Sequence, residues 1–122
     1  MSRFTVLFYE DLNGNKPVEK FLLQLDKKMR AKVLGLLEIL QENGYQLREP
    51  YSKHLEDGIF ELRGKFGSDI SRVLYFFYNN GEIILTNGFI KKTNKTPRNE
   101  IETAKKRRMD FGNRRGKSEN VK

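Results

Sequence analysis

The sequence contains no cysteine and only one histidine, His54. The lack of cysteine excludes disulfides, thiolate zinc sites and cysteine nucleophiles. A single histidine excludes a cluster of histidine ligands around a metal ion. From the sequence we therefore expect neither a metal ion nor another cofactor.

Long apolar runs are also absent, since none approaches the roughly 20 residues that a membrane-spanning helix needs. The first residues, MSRFTVLFYEDLNG, become acidic and turn-rich where a signal peptide would carry its cleavage site. We therefore expect a cytoplasmic protein. The length of 122 residues predicts one domain. We place it at residues 1–111, and residues 112–122 lack apolar periodicity and are predicted to be a basic, disordered tail.

The net charge of +8 is concentrated at one end of the chain. Residues 1–90 hold 12 basic and 12 acidic side chains, whereas residues 91–122 hold 12 basic and 4 acidic ones. An excess confined to one segment favours an acidic partner such as nucleic acid. A solubilising tail is the alternative explanation, but it does not account for charge that begins between two predicted elements.

That junction is the segment 89–97, FIKKTNKTP. The β-branched, apolar run before it predicts a strand. Thr96 is typical of a helix N-cap, and the proline after it is typical of a first helical residue. The ammonium groups of Lys91, Lys92 and Lys95 therefore crowd a short connector. Such a corner suits a polyanion, although a solvated basic loop is the simpler interpretation.

The hydrophobic pattern predicts four strands and three helices in the order β–α–α–β–β–β–α. A short connection joins the first two helices into an αα-hairpin, with Asp26 as the N-cap of the second helix and Gly44 as its end. Tight turns, among them Asn79-Asn80-Gly81, join the last three strands into an antiparallel meander. The fold class is therefore α+β, a mostly antiparallel sheet covered by the αα-hairpin. The predicted strands are 4–9, 59–63, 70–78 and 82–90. The first helix is predicted to begin near 17, the second follows its cap Asp26, and the last runs from about 97 to 109. Residues 45–57 are predicted to be irregular.

Three segments together resemble a known family: GIFELR, SRVLYFF and GFIKKTNKTPRNEIETAKKR, preceded by a helical hairpin. The combination of ELR, KKT-x-KTP and E-I-x-x-A resembles type II toxins of the RelE superfamily. The resemblance covers roughly residues 3–110 and is strongest to the phage-derived, HigB-like branch. It implies the RelE/ParE-like fold.

The same resemblance implies an activity and partners. Such toxins are mRNA interferases, small endoribonucleases that enter the ribosomal A site, cut messenger RNA there and inhibit translation. A cognate antitoxin encoded beside the toxin neutralises it. The HigB-like branch implies a HigA-like antitoxin of the helix-turn-helix type, and a heterotetramer formed through antitoxin dimerisation is the assembly that we expect.

The resemblance also implies individual site residues. Arg63 and Arg72 match basic positions on neighbouring strands, and Tyr75 matches a tyrosine on the strand of Arg72. The chain departs from some HigB toxins because it has no histidine after His54. The predicted catalytic residues are Arg63, Arg72, Lys92, Glu61 and Tyr75, and the predicted RNA-binding residues are Lys91, Lys95, Lys65, Arg107 and Arg108.

These residue types suit RNA cleavage by the 2′-hydroxyl of the RNA itself. That step needs a base, positive charge on the phosphorane oxygens and an acid. Arg63 and Arg72 can supply the charge, and an arginine in an apolar strand needs a partner such as a phosphate. Glu61 is a candidate base, and a lysine with a lowered pKa is another.

Each residue also has a simpler interpretation. Glu61 and Arg63 share one strand face and can form an ordinary ion pair. Tyr75 can be packed in the sheet, and stacking on a base would require it to be exposed. His54 is a further candidate for catalysis, but a lone histidine in a loop is more often a surface residue.

Two other functions stay open on the sequence. A ParE-like poison of a type II topoisomerase shares the implied fold but lacks the nuclease cluster. A non-catalytic, basic nucleic-acid-binding module would satisfy the charge excess alone.

Overall fold

The computed structural model describes residues 4–91 and 95–120, with the side chains of the last helix described as far as residue 116. Five strands form one sheet in the order β1-β5-β4-β3-β2. The strands are β1 (Thr5–Phe8), β2 (Ser52–Glu56), β3 (Ile59–Phe66), β4 (Asp69–Tyr78) and β5 (Glu82–Lys91), and the helices are α1 (Pro17–Gln24), α2 (Lys27–Asn43) and α3 (Arg98–Asn120).

The sheet is antiparallel except at one edge, where β1 runs parallel to β5. Strand alternation gives it two apolar faces. One face carries Leu62 and packs against the αα-hairpin of α1 and α2, and the other carries Ile59 and packs against α3. The predicted α+β class and the covering αα-hairpin are confirmed, and α3 adds a third layer on the opposite face.

Local signals explain the ends of α2. The Asp26 carboxylate accepts hydrogen bonds from the backbone N–H groups of Lys28 and Met29 at 2.8 and 3.1 Å, as an N-cap does. Gly44 follows the helix with a φ of +51°, and a Cβ there would lie 2.0 Å from the ring of Phe4. Glycine is therefore required both by backbone conformation and by space. Both predicted ends of this helix are confirmed.

The turn between β4 and β5 also follows the sequence signal. Asn79 and Asn80 have φ values of +50° and +59°. Consecutive positive φ angles match the strand twist of a tight hairpin, and asparagine tolerates them. The turn fixes β5 beside β4, so that Lys91 pairs with Ile70 at the far end.

The predicted element order lacks one strand. Residues 52–56, SKHLE, were expected to be irregular, but they form β2 at the sheet edge and pair with β3. The segment has one aliphatic residue and no clear alternation, so hydrophobic periodicity does not reveal it. It forms because an exposed edge strand needs backbone pairing on one side only and tolerates polar side chains.

The end of α3 also differs from the prediction. The helix continues past Met109, and residues 112–120, predicted to be disordered, are helical. Arg114 binds the Asp110 carboxylate at 2.7 Å, and Arg115 binds Glu82 at 3.0 Å. These ion pairs are local and tertiary contacts that apolar periodicity does not detect. No helix among the described residues is both long enough and apolar enough to cross a membrane.

Ion pairs fasten the first half of α3 to the turn between β2 and β3. Glu56 binds both Arg98 and Lys105, and Asp57 binds Arg108 at 2.7 Å. We call these five residues the α3 strap. Hydrogen bonds from Arg98 and then Lys105 lower the pKa of Glu56 from 4.5 to about 2.

The α3 strap is expected to depend on pH. The folded pKa of Glu56 lies below its unfolded value, so its contribution is complete above about pH 4.5 and is lost as the pH falls through about 2. Urea unfolding at several pH values should show that Glu56→Gln is less stable than the parent at pH 6. The difference should shrink between pH 4.5 and 2. Glu38→Gln, at an exposed position of α2, is the control. A difference that is independent of pH would contradict the assignment.

Candidate nucleic-acid interface

A buried carboxylate lies at the centre of the α3 side of the sheet. Glu61 on β3 is 0% exposed, and its side chain accepts hydrogen bonds from both neighbouring basic strand residues. Arg63 Nε donates to Glu61 Oε2 at 3.1 Å, and Arg72 Nη1 on β4 donates to the same oxygen. Arg63 and Arg72 are direct partners in the β3–β4 register, which brings both guanidinium groups to one carboxylate.

Glu61 is held in its ionised form. Burial acts to raise the pKa of this carboxyl. Hydrogen bonds from Thr96 and Arg63, followed by the charges of Arg72 and Lys91, outweigh it and keep the pKa below its usual value. A carboxylate with a lowered pKa and at least three donors is a weak base, so the geometry favours positioning of the arginines over proton abstraction.

Arg72 is only 4% exposed, and its partner is Glu61, whereas a phosphate was predicted as its partner from the sequence. This corrects the expected partner of Arg72, because the alternation of β3 turns Glu61 to the same face. The Nε of Arg72 is buried and has no hydrogen-bond partner among the described residues. The guanidinium is therefore fixed on one side and retains a donor on another.

A hydroxyl connects Glu61 to the end of β5. Thr96 Oγ1 donates to Glu61 Oε1, and Lys91 Nζ donates to Thr96 Oγ1 at 3.3 Å. Lys91 is 4% exposed. Burial, and then the charge of Arg72, lowers the pKa of the Lys91 ammonium, while Glu61 opposes this change.

Three charged side chains are buried together in this region. Among the described residues these are Glu61, Arg72 and Lys91. Glu61 binds Arg72 directly and is connected to Lys91 through Thr96, in an environment where charges interact more strongly than in water. This buried network lies directly behind a surface cleft.

The cleft has a volume of about 380 Å³ and opens between β2, β3 and the start of α3. Arg63, Glu61 and Thr96 reach it from the buried network. The cationic cleft is defined by its basic and acidic lining residues Lys53, His54, Arg63, Lys95, Arg98, Glu56 and Glu61. The Arg63 side chain is 25% exposed and can reach a ligand, whereas the Arg72 side chain is only 5% exposed.

The structure thus brings together Arg63, Arg72, Glu61 and Lys91 of the predicted site, with Lys95 at the cleft. Lys92 lies outside the described residues. Lys65 is exposed on β3, two residues beyond Arg63 on the same strand face.

Three predicted residues lie elsewhere. Tyr75 is 1% exposed on the αα-hairpin face, where its hydroxyl pairs with that of Ser52. Burial raises its pKa to about 12, so packing describes this residue and contact with RNA does not. Arg107 binds the Thr86 carbonyl oxygen at 2.9 Å, and Arg108 belongs to the α3 strap.

Sequence reasoning missed several residues of the cleft, and three of them show why. Lys53 was missed because β2 was not recognised as a strand. Arg98 was seen only as part of a helix. Thr96 was predicted to cap α3, but the helix begins at Arg98, and the hydroxyl binds Glu61 instead. The Thr-Pro pair marked the helix start correctly to within one residue, and only tertiary contact reveals its second role.

Removing the Thr96 hydroxyl should weaken the network. Thr96→Val keeps the shape of the side chain but deprives Glu61 of a donor and Lys91 of an acceptor. We expect a loss of about 1–3 kcal/mol in the free energy of unfolding, as for buried polar groups that lose a partner. Thr96→Ser keeps the hydroxyl and should lose less. Urea unfolding checks this, and equal stability of the two variants would show that the hydroxyl does not support the network.

Comparison with known proteins gives a family. The model of the phage derived protein Gp49-like family (DUF891) matches residues 20–109, which is most of the chain. That family is associated with RelE-like toxins of toxin–antitoxin systems, and such a toxin has an antitoxin as its partner. No curated protein matches the chain.

Proposed function

The chain belongs to the Gp49-like family, and we propose that it is a RelE/ParE-like toxin that cuts messenger RNA on the ribosome. In this proposal it is an mRNA interferase of the HigB-like branch. Its inhibitor is a HigA-like, helix-turn-helix antitoxin.

One observation carries this proposal, namely a partly exposed arginine that a buried carboxylate holds at the edge of a cationic cleft. Glu61 accepts a hydrogen bond from Arg63, and the Arg63 side chain extends from that carboxylate into the cleft. A planar arginine fork binds a phosphate in a bidentate manner. Lys53, Lys95 and Arg98 line the same cleft, so a phosphate bound there would meet several cations.

The proposed reaction uses the RNA strand as its own nucleophile. The 2′-oxygen forms a bond to the adjacent phosphorus, and the bond from phosphorus to the 5′-oxygen breaks. A base takes the 2′-hydroxyl proton, and an acid gives a proton to the departing 5′-oxygen. The products are a 2′,3′-cyclic phosphate and a 5′-hydroxyl, and neither a metal ion nor water is consumed.

Arg63 is the residue that we place on the phosphate. It is partly exposed, and its Nη1 donates to the exposed carboxylate of Glu49 at 3.2 Å, which a phosphate can replace. A positive charge placed beside the non-bridging oxygens stabilises the phosphorane more than the ground state. Lys53, Lys95 and Arg98 surround the same cleft and bind the neighbouring phosphates in this scheme.

Glu61 and Arg72 act behind the phosphate. Glu61 accepts hydrogen bonds from both arginines and so sets the direction of the Arg63 fork. Arg72 neutralises Glu61 from the buried side. Because the Arg63 guanidinium is already oriented before the substrate binds, it does not have to reorganise during the reaction.

The deciding experiment offers two substrates to the purified chain. Messenger RNA bound in translating ribosomes should be cut, whereas the same RNA free in solution should stay intact. Analysis of the new ends should find a cyclic phosphate and a 5′-hydroxyl. The ParE-like alternative instead predicts blocked supercoiling by a type II topoisomerase, and a non-catalytic module predicts salt-sensitive binding without cutting. Either of these results, without cleavage, would overturn the proposal.

A further inference from the structure

An unbroken row of aromatic rings crosses the other face of the sheet next to the edge strand β2. His54 lies 4.9 Å from Phe60, Phe60 lies 5.3 Å from Phe77, and Phe77 lies 4.4 Å from Tyr45, measured between ring centroids. We call these four residues the aromatic row. They come from β2, β3, β4 and the turn that follows α2, so the fold and not one local motif brings them together.

The aromatic row is accessible. Tyr45 is 50% exposed, His54 is exposed, and Phe60 and Phe77 are half-buried. The row lines a cleft of about 340 Å³ that also contains Ser52 and Arg48. The lining includes a cation and no carboxylate, so it is compatible with a negatively charged strand.

A buried polar group reaches the same cleft. Ser52 is 2% exposed, and its hydroxyl pairs with that of Tyr75. When Tyr75 donates to Ser52, the Ser52 proton is left to donate elsewhere. A planar ring in the cleft would thus meet both aromatic contacts and a hydrogen-bond donor.

This cleft adjoins the cationic cleft, because His54 lines both of them. β2 separates the two clefts, and no described strand pairs with its outer edge. A single RNA strand passing over this edge can place a phosphate in the cationic cleft and a neighbouring base against the aromatic row. Stacking on aromatic side chains beside a cationic groove is the general way in which proteins hold single-stranded RNA.

We propose that the aromatic row is a nucleobase-binding subsite for a nucleotide next to the cleaved phosphate. This rests on the proposed function, since the base reaches the row only when its phosphate occupies the cationic cleft. Stacking accepts any base, whereas the Ser52 hydroxyl can distinguish base edges. The subsite therefore supplies affinity first and sequence preference second.

The test combines protein variants with an RNA that lacks a single base. Ribosomes are programmed with messenger RNA that carries an abasic ribose at one position beside the cut. Tyr45→Leu should lower the cleavage rate of intact RNA about tenfold, as expected for the loss of one stacked base. The abasic RNA should be cut equally slowly by the parent and by the variant, because the partner of Tyr45 is already absent.

Phe66→Leu is the matched control. Phe66 is 43% exposed and lies on β3, six residues or about 20 Å from Phe60. It should cut both RNAs as the parent does. If Tyr45→Leu and the missing base lower the rate independently, or if Tyr45→Leu has no effect, the row belongs to packing or to a protein partner, and the subsite is wrong while the proposed function stands.

A second measurement does not need cleavage. A short single-stranded RNA with 2-aminopurine at the same position is mixed with the protein alone, and stacking quenches its fluorescence. Quenching by the parent and by Phe66→Leu, but not by Tyr45→Leu, would support the subsite even if ribosome-bound RNA is not cut and the proposed function fails. Where the ribosome-bound RNA is not cut, the absence of Tyr45-dependent quenching would overturn the subsite.

Discussion

Replacing Glu61 by alanine is expected to lower the free energy of unfolding by about 3–5 kcal/mol, the cost of breaking a buried ion pair by removing one partner. The variant leaves the Arg72 guanidinium, 4% exposed, without the carboxylate that neutralises it. It also removes the acceptor of the Thr96 hydroxyl. Urea unfolding at pH 7 measures the loss.

The chain offers a matched control in Glu49→Ala. Glu49 also binds Arg63, at 3.2 Å, but its side chain is 63% exposed. Exposed pairs contribute about 0–1 kcal/mol, so this variant should unfold close to the parent. If Glu61→Ala and Glu49→Ala were equally stable, the buried network would not support the fold.

The pH dependence of the free energy of unfolding tests the same network with Glu61→Gln, a variant that leaves no cavity in the core. Because the folded pKa of Glu61 lies below its unfolded value, its contribution is complete above the usual pKa of a glutamate. The contribution is lost as the pH falls through the lowered value. The parent and Glu61→Gln should therefore differ in stability at neutral pH and converge in acid.

Much of the fold could be predicted because its signals are local. The apolar stripes of α1 and α2, the Asp26 cap and the paired asparagines of the β4–β5 turn each act within a few residues. β2 escaped prediction since its only requirement is an exposed edge of β3. The helical end of α3 escaped because Arg114 and Arg115 find acidic partners that charge counting alone cannot place.

The site was predictable in part for a similar reason. Alternation along β3 placed Glu61 and Arg63 on one face, and the hairpin order placed Arg72 beside them. Burial was not predictable, because it depends on α3 covering this face. Arg63, which is partly exposed, and Arg72, which is buried, therefore have different roles, although the sequence predicted a catalytic role for both.

Arg63→Ala is expected to lower the cleavage rate of ribosome-bound messenger RNA by about 10²–10³, the usual cost of removing one preorganised donor from developing negative charge. Stability should fall by no more than about 1–3 kcal/mol, because Glu61 loses one donor but keeps Arg72 and Thr96, so the variant stays folded. Single-turnover cleavage, with urea unfolding in parallel, separates the loss of chemistry from the loss of fold.

Two further variants show what the arginine supplies. Arg63→Lys keeps the charge but loses the planar fork, so it should recover only part of the rate. Arg108→Ala removes an arginine of similar exposure, 29%, that binds Asp57 outside the cationic cleft, and it should cut at nearly the rate of the parent. If folded Arg63→Ala cut as fast as Arg108→Ala, the phosphate would not lie on Arg63. The cleavage site would then have to be sought away from the Glu61 network.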